Sequence, residues 1–385
     1  MSPIIDLHSD LLAYLAHKKN RSPYDLLSRS AHPQLASGNV ALQTLAISAF
    51  TSSLSVKRAN KQIDAFCSLI NHYPQAFARY TKNSNLTSSG PGLAHTHRDS
   101  RIGILAKPAL SRFAVGCKDG DAHTAEIPIL EPRCVYIIPS IENASAFALE
   151  DEPLDICLDR LQKILERIGP LLYISLTWNG ENRFGGGVGS TSGLKADGKE
   201  LLHWLNEKAI AIDLSHSSDT LAYQILEHID KNSLILPLIA SHSNFRTITD
   251  VARNLPDEIA KELIRRKGLI GINLFAPFIS KTNSAVLIQH IEQGLKIGGE
   301  NALSFGADFF CTDDFPAMAT KYPNQPYFFP EFANASAYPH LLDLLKKQLS
   351  LSDNLLRKIS SGNCLRFLDV YTNNLKNRKY DKETP

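Results

Sequence analysis

Cysteine pairing is the first thing this sequence lacks. Its six cysteines, at positions 67, 117, 134, 157, 311 and 364, include no C-x-x-C or comparable spacing. That argues against a disulfide framework or a structural zinc knot and fits a reducing cytoplasm. Charge of one sign is also missing: 41 Lys and Arg against 39 Asp and Glu leave a formal net charge of +2 on 385 residues. Without a basic field, neither nucleic acid nor an anionic membrane is an expected partner. No apolar run approaches the ~20 residues that span a bilayer. No basic and apolar leader precedes Pro3-Ile-Ile-Asp-Leu-His8, so no signal peptide is expected and the location expected is cytoplasmic.

What the chain does have is 43% hydrophobic residues, arranged as short β-branched or aromatic-rich runs between longer amphipathic stretches. Eight runs read as strands: Pro3–Leu7, Val40–Phe50, Cys134–Ile141, Leu171–Thr177, Ala209–Leu214, Leu234–Ala240, Leu269–Phe275 and Ala302–Ala307. Helical patterns lie between them, among them Leu154–Ile168, Lys199–Glu207 and Pro256–Lys267. Strand and helix repeated about eight times predict an α/β fold, a TIM-like (β/α)8 barrel, with a doubly wound open sheet as the alternative. The prediction is one domain over residues 1–375, followed by a short basic tail, 376–385, that contains Lys376-Asn-Arg-Lys379. Residues 82–132 exceed the repeat and read as an insertion between strands two and three, holding two candidate strands at Ile102–Leu105 and Phe113–Val115.

The ends of the runs carry the chemistry. They read Asp6-Leu-His8-Ser-Asp10, Ile141-Glu142-Asn143, Asp213-Leu-Ser-His216, Ser241-His242-Ser-Asn244 and Gly306-Ala-Asp308. A barrel gathers the C-terminal ends of its strands at one face. A lone His or Asp there is more often structural; three His with several carboxylates are a divalent-metal set. Strand alternation would put His8 and Asp10 on one side, within reach of one ion. His8, Asp10, Glu142, His216 and His242 exceed what one open zinc needs, so two Zn²⁺ per chain are expected, with Glu142 as the bridge. Two ions ~3.5–4 Å apart can hold a hydroxide between them. Asp308 is the expected proton acceptor, with Asp313-Asp314 as its rival. His95-Thr-His97 has metal-site spacing but no strand before it and reads as a polar loop. His17, His72 and His290 read as surface or helix-packing residues.

Taken in order, Asp6-Leu-His-Ser-Asp10, Ser140-Ile-Glu142, Ile212-Asp-Leu-Ser-His216, Ala240-Ser-His-Ser-Asn244, Arg253-Asn254 with Asp257, Gly306-Ala-Asp308 and Ser361-Gly-Asn-Cys-Leu-Arg-Phe367 resemble the membrane (renal) dipeptidase family, peptidase family M19. The resemblance implies a TIM-like barrel with a binuclear zinc centre that cleaves dipeptides, some with a D-residue at the C-terminal side. It implies His8 and Asp10 on one zinc, His216 and His242 on the other, Glu142 between them and Asp308 as the proton-transfer residue. It also implies that Arg253 holds the substrate carboxylate, as a guanidinium fork can, and that the protein is a homodimer.

Two positions depart from the family pattern. Trp178 stands in Leu176-Thr-Trp178-Asn-Gly-Glu-Asn182 where the pattern has Leu-Thr-His. A Trp donates only and does not titrate, so Asn179 or Asn182 becomes the candidate neutral donor to substrate. Gly306-Ala-Asp-Phe-Phe-Cys311 replaces Gly-x-Asp-Phe-Asp-Gly, which alters the loop after the last strand. The alternatives are a metal-dependent hydrolase of another small amide or lactone, and a non-catalytic binding relative.

Overall fold

The computed structural model describes residues 2–81, 84, 86, 134–206 and 208–370. The 82–132 insertion, with His95 and His97, and the 376–385 tail lie outside the described residues, apart from the isolated positions 84 and 86. Nine strands are described: β1 Ile4–Ser9, β2 Val40–Ser48, β3 Phe77–Arg79, β4 Val135–Glu142, β5 Tyr173–Ser175, β6 Ala211–Asp213, β7 Leu238–Ala240, β8 Leu269–Ile272 and β9 Leu303–Phe305. All their pairings are parallel. β1 pairs with β2 and β9, and β2 pairs with β4, so the sheet closes on itself as the expected eight-stranded barrel.

β3 is the strand that the sequence pattern did not flag. Its Phe77–Arg79 pairs with Val135–Ile137 at the start of β4, on the edge that β5 takes over at Ile141. Three residues are too few to show a period. The strand exists because β5 is short and leaves that stretch of β4 unpaired.

Helices form the outer layer. α1 Leu11–His17 and α2 His32–Ser37 follow β1, and α3 Ser55–His72 follows β2. α4 Leu154–Ile168, α5 Ala196–Leu205, α6 Asp219–Lys231, α7 Asp257–Arg265 and α8 Val286–Lys296 follow β4 to β8 in turn. In α4 the buried positions Cys157, Leu161, Ile164 and Ile168 recur every three or four residues, one apolar stripe against the barrel. Inside the barrel a second cluster, with Ile5, Leu7, Leu42, Tyr173, Ile239 and Leu269, is joined by Cys364, Phe367 and Leu368 from the C-terminal segment. No described helix is long and apolar enough to cross a membrane.

The predicted runs Leu171–Thr177 and Leu269–Phe275 shorten to β5 and β8 because side chains replace ladder partners at the strand ends. Ser175 Oγ accepts from Asn143 N at 2.8 Å, and Asn244 Oδ1 accepts from Asn273 N at 3.0 Å. Strict alternation does not run through Asp6–Asp10 either. β1 has a register irregularity between Asp6 and Ser9, and Asp10 lies beyond the strand, capping α1. His8 and Asp10 therefore come together through a bulge and a turn.

Candidate metal centre

β1 delivers His8, β4 delivers Glu142, and the turns after β6, β7 and β9 deliver His216, His242 and Asp308. Ligand atoms of His8, Glu142 and His242 all lie within 4.8 Å of one another, as do those of His8, Asp10 and Asp308. His216 Nε2 is 2.8 Å from Glu142 Oε1 and 3.0 Å from His242 Nε2. The structure thus brings all six residues to one mouth, with Asp308 inside the ligand group of His8 and Asp10. Two of the turns need unusual backbone: His216 and Asp308 have φ of 68° and 63°. Left-handed conformations in non-glycine residues cost on the order of 1–3 kcal/mol and collect at functional sites.

Each imidazole has its Nδ1 hydrogen engaged. Tyr173 OH donates to Leu7 O (3.2 Å), so it accepts from His8 Nδ1 at 2.7 Å. Ser241 Oγ donates to Asp213 Oδ2 at 2.5 Å and accepts from His242 Nδ1 at 2.6 Å. Asn179 Oδ1 accepts from His216 Nδ1 at 2.8 Å. All three rings are then the Nδ1–H tautomer, and each turns an Nε2 lone pair toward Glu142. Burial holds His8 and His216 down to about 4 and His242 well below its ordinary range, so the rings are neutral at pH 7.

Among the carboxylates, burial works to raise Glu142, and what pulls it well below its usual range is positive charge on His216 and His8; with those rings neutral, the compensating charge has to come from a cation. Burial, with Glu142 and Asp308 as like-charged neighbours, pushes Asp10 well up. Burial and Glu142 raise Asp308 to about 7, against the pull of Arg253 and of Asn273, whose Nδ2 donates to Asp308 Oδ2 at 3.0 Å. His8 Nε2 and Asp10 Oδ1 are buried with no hydrogen-bond partner. Converging lone pairs and crowded acids are unfavourable by themselves; a divalent cation bound by imidazole and carboxylate removes both conflicts. The residues present fit such an ion.

A cavity of about 450 Å³ opens over the cluster, and its polar lining includes Asp10, Glu142, Asn179, His216, Arg253, Asp308 and Lys321. Its apolar wall includes Trp178, which stacks on His216 (5.7 Å between centroids, 29°) and meets Phe50 edge-on at 4.5 Å. Buried Arg253 donates from Nη1 to Ser243 Oγ at 2.8 Å, while its Nε and Nη2 are buried without partners. The rivals separate clearly. Asp314 takes both Nη1 and Nη2 of Arg21 at 2.5 Å, and Asp313 is exposed in the turn. Asn182 is buried, with its amide spent on Asn143 Oδ1 and Leu176 O, and is not a substrate donor. Tyr173, Asp213 and Ser241 were missed as functional residues by sequence reasoning. For Asp213 and Ser241 the signal was their place in the two His-bearing motifs.

The family that matches is described as membrane dipeptidase (peptidase family M19), over residues 134–381; this range includes Glu142, His216, His242, Arg253 and Asp308 but not His8 or Asp10. The chain is 28% identical over 171 residues to an uncharacterized protein of Acinetobacter calcoaceticus, covering 40% of this chain and 50% of that protein. It is 31% identical over 148 residues to an uncharacterized dipeptidase of Schizosaccharomyces pombe (36% and 34% covered), and 27% identical over 180 residues to human dipeptidase 3 (46% and 33%). The chain spans half or less of the length of these relatives. Among solved structures it resembles a metallopeptidase of family M19 with a TM-score of 0.67 at 17% identity, covering 96% of this chain and 98% of that one. It also resembles a Rhodobacter sphaeroides metallopeptidase liganded with a phosphinate mimic of the dipeptide L-Ala-D-Ala, TM-score 0.66, 17% identity, covering 96% and 99%. At such identities the likeness establishes the fold.

Proposed function

The chain belongs to the membrane dipeptidase family, peptidase family M19, and from that premise we propose that it is a zinc-dependent dipeptidase holding two ions. His8 and Asp10 would hold one, His216 and His242 the other, with Glu142 shared. The observation that carries the reading is the convergence of three Nε2 lone pairs and three carboxylates opposite Arg253, whose two unpaired donors face no protein acceptor. Bound zinc supplies Lewis acidity toward the scissile carbonyl and makes water a nucleophile near neutral pH.

The chain's own residues do the rest. Arg253 Nε–H and Nη2–H donate to the substrate's terminal carboxylate, which fixes the register of a short peptide and satisfies two buried donors. Asp308 takes a proton from the attacking water and returns it to the departing amine. Asn273 holds the Asp308 carboxylate by Oδ2. Trp178 and Phe50 wall off bulk water on one side. The L-Ala-D-Ala mimic held by the Rhodobacter protein makes small L,L and L,D dipeptides the first substrates to try.

The test is metal analysis with a dipeptide panel. We expect about two zinc per chain and chelator-sensitive release of both amino acids. Arg253→Met should lower kcat/KM by about 10- to 100-fold, the worth of one or two charge-assisted bonds. Metal-free protein after purification in zinc-containing buffer would overturn the reading. Zinc-loaded protein that hydrolyses lactones or cyclic amides but no dipeptide would replace it with the alternative substrate class.

A further inference from the structure

A second cavity, of about 340 Å³, adjoins the first and is used by nothing described so far. The two share Asp10, Ser48, Phe50, Phe310, Asp314 and Phe315, so they meet at the Asp10 end of the cluster. Arg253 lines only the first. A dipeptide whose carboxylate sits on Arg253 and whose scissile carbonyl sits at Glu142 therefore has its N-terminal residue on the side where the second cavity opens.

The polar groups in that chamber are unequally available. Tyr14 OH donates to Asp25 at 3.0 Å. Gln62 is committed at both ends to the backbone of Ser48. Asp314 is neutralised by Arg21, with His17 Nε2 at 3.7 Å. Asp10 also lines the chamber, but in the proposed centre it holds a metal ion. That leaves Arg58 and Lys61, exposed on α3, neither of them in an ion pair among the described residues. Three residues apart on a helix, they lie on one face. Apart from Asp10, the unspent charge lining the chamber is thus cationic; in the first cavity the cations are Arg253 and Lys321, and Arg253 is taken by the substrate's terminal carboxylate in the proposed function.

We propose that this chamber receives the side chain of the substrate's N-terminal residue and selects for a carboxylate there, with Arg58 and Lys61 as its specificity-determining residues. The preferred substrates are dipeptides beginning with Glu or Asp. The inference rests on the dipeptidase reading but adds a charge preference that the reading does not require.

The experiment compares kcat/KM for Glu-Ala, Gln-Ala, Ala-Ala and Lys-Ala, each with L- and D-Ala, for the zinc-loaded protein and for R58E/K61E. Gln is the neutral isostere of Glu, so the Glu-Ala to Gln-Ala ratio isolates charge from shape. We expect that ratio to be about tenfold or more, equivalent to roughly 1.4 kcal/mol, and to fall below one in the double variant while Lys-Ala gains. Both positions are exposed, and equal helical content and zinc stoichiometry would show that the variant is folded. Equal rates on Glu-Ala and Gln-Ala, or a ratio that the double variant leaves in place, would overturn the proposal while leaving the dipeptidase standing. Failure to hydrolyse any member of the panel would overturn both.

Discussion

An imidazole presents Nε2 to a cation most firmly when its Nδ1 hydrogen has an acceptor that fixes tautomer and ring orientation. Of the three acceptors here, Asn179 Oδ1 is the one most easily removed without disturbing the barrel, since it lies in the loop after β5 at the rim of the cavity. Asn179→Ala should weaken zinc binding at His216 by about 10- to 100-fold, the usual effect of losing an outer-shell partner. Asn179→Asp keeps an acceptor and should retain affinity. Competition with a chromogenic chelator measures both, and equal affinity in Asn179→Ala would remove Asn179 from this role. The sequence picked out Asn179 as a candidate donor to substrate. Its carbonyl oxygen facing His216 gives it a second role, as a positioning residue for the ring. Asp308 was preferred in sequence, with Asp313-Asp314 as its rival, and Arg21, 293 residues from Asp314, is what takes Asp314 out of contention. Local spacing carries no record of such a partner.

At the level of elements, the ends of β7, β8 and β9 are packed closely enough to demand glycine. A Cβ on Gly306 would lie 1.8 Å from Ser241 O, and one on Gly271 would lie 1.9 Å from the same oxygen. Ser241 precedes His242 and bonds its ring, so backbone contact there sets where that ligand points. Gly306→Ala must displace β7 or β9. It should lower unfolding stability by roughly 3 kcal/mol or more, as overpacking of a buried site does, and lower zinc affinity with it. Urea denaturation with and without zinc separates the two effects; unchanged values in both would contradict the tight contact. The strands themselves were legible because apolar, β-branched runs are a local signal. β3 was not, because its pairing depends on β5 being short on the far side of an insertion.

Over the whole molecule, folding links stability to pH through groups that burial keeps neutral. His290 on α8 is fully buried, accepts from Phe245 N at 3.2 Å through Nδ1, and is held down to about 4 by burial. Its unfolded value is near 6.5, so between these values the unfolded chain binds a proton that the folded chain refuses. Its share of stability is full above pH 6.5, is lost as pH falls toward 4, and changes no further below that; the total is about 3 kcal/mol at 1.36 kcal/mol per unit. His290→Asn keeps an acceptor for Phe245 N and removes the titration. Its unfolding free energy should therefore fall less steeply than the parent's between pH 6.5 and 4 in denaturant titrations. Parallel pH profiles would exclude His290 as a contributor.

By itself the sequence determined the barrel and the identity of the metal-ligand candidates. Hydrophobic periodicity is read within a few residues, and the chemistry of His, Asp and Glu belongs to the side chains wherever they stand. Closure of the sheet decided the rest: which tautomer each histidine adopts, which aspartate is left unpaired, how His8 and Asp10 meet across a bulge, and that a second chamber, with Arg58 and Lys61 in its lining, opens beside them. Those properties depend on contacts between segments up to about three hundred residues apart, such as Arg21 with Asp314 and Tyr338 with Asp6. Hydrogen-bond partners and burial do not exist until the chain has folded around them.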